Sequence, residues 1–150
     1  MSARRILTIA ILGGTALSLA AQEAATVHLI DAGSVAEAFA AGRPLLEVDA
    51  YKVHASRRTA PGEAEVHHVD TDIIYVLQGE ATFVTGGTVV DGRSTGPDEV
   101  RGQGIRRGTT HRLVKGAFIV VPHGTPHWFR AVEGTFLYYV VKVPDGRRSR

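Results

Sequence analysis

Hydrophobic and polar residues alternate in short segments over most of the chain, and this pattern predicts β-strands. The segments are rich in β-branched and aromatic residues, and glycine or proline residues separate them. Predicted strands cover residues 45–54, 63–68, 73–77, 81–85, 88–90, 117–121, 127–132 and 135–143. Many short strands with turn residues between them favour an all-β antiparallel sandwich or barrel.

Only one segment after residue 20 has a convincing helical pattern. Ser34 is the predicted N-cap, the helix continues through Val35–Ala40, and Gly42 is the predicted stop. We therefore expect residues 21–44 to form an arm with one short helix, followed by a single barrel at 45–143.

The first twenty residues have the pattern of a signal peptide. Arg4 and Arg5 precede an apolar run that ends in a small-x-small sequence at 18–20, the pattern that signal peptidase cleaves. The run has about 15 residues, whereas about 20 are needed to span a bilayer. We therefore predict cleavage near Ala21 and a secreted or periplasmic protein without a stable membrane anchor. A retained anchor is the alternative.

Charge and composition exclude several classes of protein. The chain has 17 basic and 15 acidic residues. The leader contains two of the basic residues and none of the acidic ones, which leaves a balanced remainder with a basic tail at 144–150. A nucleic-acid partner is not expected, because no basic stripe is present. The absence of cysteine excludes disulfides and thiolate metal ligands.

A glycine-rich segment at 86–108 interrupts the regular strand pattern. It contains seven glycines, a proline and charges of both signs. We expect either an extended hairpin or a mobile loop beside the mouth of the barrel.

One segment carries the strongest indication of chemistry. Gly116, Pro122, Gly124 and His127 follow the spacing G-x5-P-x-G-x2-H. The segment resembles the second motif of the cupin family, G-x5-P-x-G-x2-H-x3-N, at every position except the last, where Ala131 replaces asparagine. The predicted strand and tight corner should point His127 into the barrel.

Residues 62–79 resemble the first cupin motif, G-x5-H-x-H-x3-4-E-x6-G, less closely. Six residues separate Asp72 from Gly79, so Asp72 stands where the family has its metal-binding glutamate. Gly62 does not coincide with the opening glycine of the motif. The shorter Asp72 would reach a metal only through water, or it would be a turn residue.

The histidine pair of this first motif is imperfect and allows two registers. Side chains two residues apart share a face of a strand, so either Glu65 and His67 or Val66 and His68 point inward. We favour Glu65 and His67, because that register directs two competent ligands into the barrel. His68 would then lie at a strand end in solvent.

The resemblance implies a jelly-roll barrel, often a homodimer, that holds one divalent metal between imidazoles and a carboxylate. The candidate metal ligands in this chain are Glu65, His67, His68, Asp72 and His127. Two histidines with one carboxylate suit Fe(II), and additional histidines would suit copper or zinc equally well. Iron and copper are the favoured ions, and zinc or manganese remains open.

Further residues are candidates for the pocket. His111 shares the parity of Leu113, so it faces the interior if that leucine is a core residue. Tyr75 and His111 could act as a general base if they lie inside the pocket. Phe129 shares the parity of His127 and is expected to form part of the pocket wall, whereas Trp128 should point outward.

Three functions are compatible with these features. The first is a metal-dependent oxidoreductase that uses O₂ or peroxide on a small organic or carbohydrate substrate. The second is a metal-dependent isomerase or lyase acting on a sugar or small acid. The third is an exported, non-catalytic module that binds a small ligand. Fold alone does not choose between them.

Overall fold

The structure is a computed structural model that describes residues 26–146. This part of the chain contains one helix, α1 (Ala32–Ala41), and eleven strands. The strands are β1 (Pro44–Val48), β2 (Tyr51–Arg58), β3 (Ala64–His67), β4 (Asp70–Thr85), β5 (Thr88–Val90), β6 (Arg93–Gly96), β7 (Glu99–Gly102), β8 (Gly104–Arg106), β9 (Thr109–Val114), β10 (Phe118–Val121) and β11 (His127–Pro144).

Two long strands organise an antiparallel jelly roll. β4 and β11 pair with each other over most of their length. The first half of β4 and the second half of β11 lie in one layer, between β10 and the β2–β1 hairpin. Their other halves lie in a second layer, between β9 and the strands β3, β7 and β6. The predicted all-β fold with one short helix is confirmed.

Strand boundaries differ from the sequence prediction at three places. The predicted strand at 45–54 is two strands joined by a tight turn. The strands predicted at 73–77 and 81–85 are one continuous strand, β4. Those predicted at 127–132 and 135–143 are likewise one strand, β11. β4 continues through Gly79, whose φ is 81°. A Cβ at Gly79 would overlap the carbonyl oxygen of Thr135 on β11, so glycine permits the long strand to bend there.

The interior side chains follow strand alternation. The buried core cluster consists of Ile74, Val76, Ala81, Phe83, Leu113, Val121, Phe129, Phe136, Tyr138 and Val140. Its members on β4 and β11 recur at every second residue on each side of the bends. The apolar core therefore occupies one part of the space between the layers. The inward faces of β4 and β11 extend beyond this core.

The helix packs on the outside of the first layer. Asp31, rather than Ser34, is the N-cap, because its side chain accepts a hydrogen bond from the Ser34 backbone N–H. The helix consequently begins at Ala32, three residues before the predicted start. Gly42 ends it in the left-handed conformation, as expected. Phe39 anchors the helix with an edge contact to Tyr139 on β11.

The glycine-rich segment forms strands rather than a loop. β5 pairs with β8, and β6 and β7 extend the second layer beyond β3. The expectation of an extended hairpin is therefore closer to the structure than that of a loop. This arrangement places Glu99 and Arg101 of β7 directly opposite His67 and Glu65 of β3.

Several predictions fall outside the described residues. The leader at 1–20 and the tail beyond residue 146 belong to this group. Within residues 26–146, no helix has the length and apolar character needed to cross a membrane.

Candidate metal centre

A tight corner positions His127 at the start of β11. Gly124 adopts a φ of 73°, and its N–H donates to the carbonyl of His67, which ties the corner to β3. His127 is 4% exposed. Its Nδ1 lies 3.0 Å from the carbonyl oxygen of Thr125. A carbonyl can only accept a hydrogen bond, so Nδ1 carries the proton and Nε2 has a free lone pair.

β3 delivers two further side chains to the same place. Glu65 is the register partner of His127, so the two side chains share a face. His67 follows on that face, whereas His68 is exposed. Of the two registers allowed by the sequence, the structure has the one with Glu65 and His67 inward.

Glu65, His67 and His127 form a cluster of potential metal ligands, with one ligand atom from each lying within 4.8 Å of the others. Glu65 Oε2 is 3.5 Å from His67 Nε2 and 3.9 Å from His127 Nε2. Tetrahedral ligands with bonds of 2.0–2.2 Å are about 3.4 Å apart. The spacing is therefore close to that of ligands around one shared cation, and the set fits a divalent metal.

Asp72 lies on the other side of the two histidines. Its Oδ2 is 3.6 Å from His67 Nε2 and 3.7 Å from His127 Nε2. The ammonium of Lys142, the register partner of Asp72 on β11, donates to both carboxylate oxygens at 2.8 and 3.0 Å. Asp72 is thus close enough to contribute to the centre, but Lys142 already balances its charge.

Electrostatics keep Glu65 and His127 in protonation states that can bind a metal. Burial opposes ionisation of Glu65, but the nearby His67 imidazole and the positive charges of Arg101 and Arg58 outweigh it, with a further contribution from His127 when that imidazole is protonated. Together they lower the pKa of Glu65 to about 2. Burial lowers the pKa of His127, with partial opposition from the Thr125 carbonyl and Asp72. At neutral pH a carboxylate therefore faces a neutral imidazole.

The cluster opens into a cavity of about 1310 Å³ between the two layers. Phe129, Ile74 and Val140 provide apolar parts of its wall, as expected for Phe129. Alternate residues of β2 provide a polar wall: Lys52, His54, Ser56 and Arg58. The cavity offers room for a small organic molecule beside the cluster.

The two proposed catalytic residues are not brought into this cavity. Tyr75 is 44% exposed, because it stands three residues from Asp72 and so points to the outer face of β4. Its assignment as a pocket base is corrected. His111 does face inward, as its parity with Leu113 predicts. However, its Nε2 makes a 2.8 Å hydrogen bond with Thr85 Oγ1, and His111 does not line the cavity. Trp128 points outward and donates to the Gly62 carbonyl.

Three cationic residues beside the metal cluster escaped the sequence reasoning: Arg58, Arg101 and Lys142. Lys142 could have been found from parity, because it continues the inward row of Tyr138 and Val140. No local sequence pattern indicates that Arg58 and Arg101 line the cavity. Their positions depend on which distant strands pair.

The architecture is similar to that of several solved structures. These include a Bacillus halodurans protein (TM-score 0.51, 16% identity, 71% of each chain covered) and KdgF from Halomonas sp. (0.50, 21%, 68% of this chain and 77% of KdgF). The cupin domain of Schizosaccharomyces pombe Cnp3 is a third (0.51, 14%, 69% of this chain and 60% of the domain). At such identities the likeness shows the fold alone.

No curated protein matches the chain. A family model described as Cupin matches residues 21–149. That match spans most of the sequence and includes every residue of the cluster and its cavity. Together with the jelly-roll fold, it shows that this chain belongs to the cupin family.

Proposed function

We propose that this cupin is a mononuclear metalloenzyme whose metal ligands are Glu65, His67 and His127. The observation that supports the proposal is the convergence of one ligand atom each from His67, His127 and Glu65 within 4.8 Å of one another, with an ionised carboxylate and a free imidazole lone pair. These distances are too long for hydrogen bonds between the groups. A shared cation would satisfy the buried lone pairs of the carboxylate and the imidazole.

The donor set favours iron over the other candidate metals. Two imidazoles and one carboxylate leave coordination positions open, which suits non-haem Fe(II). His68 and His111 would have made a nitrogen-rich copper or zinc set, but within the described residues they lie elsewhere. Copper remains the second choice because affinity for nitrogen and oxygen ligands peaks there among the divalent ions.

The reaction proposed is an oxidation of a small organic or carbohydrate substrate. When bound, a redox-active metal would bring O₂ or peroxide next to the substrate. The chain itself contributes the apolar wall at Phe129, which limits water, and the polar β2 wall, which orients hydroxyl or carboxyl groups. Asp72 and Lys142 hold a fixed pair of opposite charges beside the histidines.

An isomerase or lyase is the second candidate, and one observation favours it. Lys142 lines the cavity next to the cluster without being a member of it. Its ammonium group, 2.8 Å from Asp72, is a potential proton donor for a reaction that needs a base or acid separate from the metal. Such chemistry would need no oxidant.

The cellular setting is also a proposal. The N-terminal pattern of the sequence supports export to the periplasm or the exterior. Apolar side chains exposed on the outer faces of β4 and β10, Tyr75, Phe118 and Val120, support a homodimer. The balanced charge supports small-molecule rather than nucleic-acid partners.

The experiment is metal reconstitution followed by turnover assays. Purified protein is loaded separately with Fe(II), Cu(II), Mn(II) or Zn(II) and tested on phenols, sugars and small acids, with and without O₂ or peroxide. The oxidoreductase proposal predicts turnover only with a redox-active ion and only with oxidant. Turnover with Zn(II) that is independent of oxidant would overturn it in favour of the isomerase or lyase. Absence of turnover with every ion would favour the binding module.

A further inference from the structure

Two arginines border the metal cluster, and they differ in how fully they are paired. Arg101 donates from Nε to Glu99 at 2.8 Å, and its Nη2 and Nη1 make ion pairs with Glu99 at 2.7 Å and Glu65 at 3.1 Å. All three nitrogens of its guanidinium are thus paired with these two carboxylates. Arg101 therefore acts within the protein's own charge network.

Arg58 has a different environment. Its Nε donates to the hydroxyl of Tyr138 at 3.0 Å, and its guanidinium carbon lies 4.5 Å from the centre of the Phe129 ring. Its single ion pair within residues 26–146 joins Nη2 to Glu65 Oε1 at 4.0 Å, beyond hydrogen-bond distance. The four Nη hydrogens consequently have no acceptor among the described residues.

The Arg58 guanidinium is also held in place. Tyr138 fixes one edge, Phe129 supports one face, and Gly62 leaves space for Nη1, since a Cβ at that glycine would lie 2.5 Å from it. The side chain is 24% exposed and lines the cavity. A fixed planar fork with unused donors is suited to bidentate recognition of a carboxylate.

Charge balance points the same way. Around the cluster, the cations Arg58, Arg101 and Lys142 are matched in number by the carboxylates Glu65, Asp72 and Glu99. A divalent ion at the cluster would leave two positive charges uncompensated. A monocarboxylate substrate would neutralise one of these charges, whereas an uncharged substrate would leave both uncompensated.

The entrance limits how much negative charge can enter. The exposed charged residues of the cavity wall are Glu47, Asp49, Asp98 and Lys52, three acids against one base. This acidic rim disfavours molecules that carry several negative charges. The inner site thus selects for an anion and the rim selects against polyanions.

We propose that Arg58 binds the carboxylate of a small monocarboxylic acid that carries a hydroxyl or carbonyl oxygen on the adjacent carbon. Arg58 Nη2 is 4.0 Å from Glu65 Oε1, and the other oxygen of Glu65 belongs to the cluster. One such acid can therefore reach both Arg58 and a metal held by the cluster. This inference rests on the proposed function, because it makes the acid the substrate of the metal centre. It places Arg58 as the residue that selects the substrate class.

The test is calorimetric titration with lactate as probe and the uncharged lactamide as its matched analogue. The protein is used metal-free and loaded with Zn(II), which supports no redox turnover. We expect lactate to bind at least about tenfold more tightly than lactamide, and Arg58→Gln to abolish that preference, as expected for a charge-assisted bidentate contact. Arg57→Gln, on the opposite face of β2, should preserve it.

Two further variants guard against misfolding and separate the two proposals. Arg58→Lys keeps the charge but loses the fork, and Gly62→Ala displaces the guanidinium; both should lower the affinity for lactate while Zn(II) affinity stays within about twofold. Equal binding of lactate and lactamide, or equal effects of Arg58→Gln and Arg57→Gln, would overturn the inference even if Zn(II) binds. Arg58-dependent lactate binding without any metal binding would support the carboxylate site and refute the metalloenzyme.

Discussion

Two cross-strand pairs, side by side on the same inner face, have opposite chemistry. Ile74 of β4 is paired with Val140 of β11, and both are buried in the apolar core. Two residues before Ile74 on β4 and two after Val140 on β11, Asp72 is paired with Lys142 at the edge of the metal cluster. Backbone geometry and strand parity are the same for both pairs, so only the side chains distinguish core from site.

The difference separates stability from function along the same two strands. Burial of the Ile74–Val140 pair removes apolar surface from water and stabilises the fold. A buried ion pair gains little net stability, because desolvation of both charges offsets their attraction. The Asp72–Lys142 pair is therefore expected to position charge beside His67 and His127 rather than to hold the jelly roll together.

The largest expected effect comes from breaking the polar pair on one side only. Lys142→Val should destabilise the metal-free protein by about 3 kcal/mol, because Asp72 remains buried without its cation. The double variant Asp72→Ile with Lys142→Val, which copies the neighbouring pair, should regain wild-type stability or exceed it. Urea unfolding at neutral pH measures both. A single variant as stable as the wild type would contradict the comparison.

A pH effect of similar size is expected from Glu65. Its pKa is lowered from the ordinary value of 4.5 to about 2, so the folded state favours the carboxylate. The resulting stabilisation, about 3 kcal/mol, is fully present above pH 4.5 and is lost as the pH falls from there through about 2. Relative to Glu65→Gln, the unfolding free energy of the metal-free wild type should therefore decline across that window.

Glu63→Gln is the matched control for the pH experiment. Glu63 lies two residues before Glu65 but is paired at the surface with Arg93. Exposed ion pairs contribute at most about 1 kcal/mol. If the wild type and Glu65→Gln lost stability in parallel between pH 4.5 and 2, the electrostatic description of the site would be wrong.

The smallest effect is expected outside the barrel. Tyr75→Phe removes a hydroxyl from the outer face of β4, where the side chain is 44% exposed. Stability should change by less than about 0.5 kcal/mol, as is usual for surface substitutions, and metal affinity should not change. Loss of turnover in this variant, with folding intact, would show that the outer face takes part in the reaction.

Local sequence signals were sufficient for much of the site. The Pro122–Gly124 corner predicts the position of His127. Strand parity leaves two registers, and the one with two competent ligands, Glu65 and His67, is favoured over Val66 and His68. The same parity rule excludes Tyr75, since an odd separation from Asp72 places it on the other face. That exclusion depends on the inward position of Asp72, which the structure shows.

The remaining features depend on tertiary structure. The pairing of Asp72 with Lys142 joins residues 70 positions apart, and no local pattern encodes it. Arg101 reaches Glu65 only because the glycine-rich segment forms β7 beside β3. The N-cap was misassigned because Asp31 and Ser34 are both good capping residues, and the position of the first helical turn decides between them.

The most direct test of the account is equilibrium metal binding to the purified protein. We predict one divalent ion per chain, with affinity reduced by about 100-fold or more in His67→Ala and His127→Ala, since even lost outer-shell partners cost 10–100-fold. His68→Ala, one residue from His67 but exposed, should bind like the wild type within about twofold. Absence of binding in the wild type, or equal losses in His68→Ala and His67→Ala, would contradict the central claim that Glu65, His67 and His127 form a metal site.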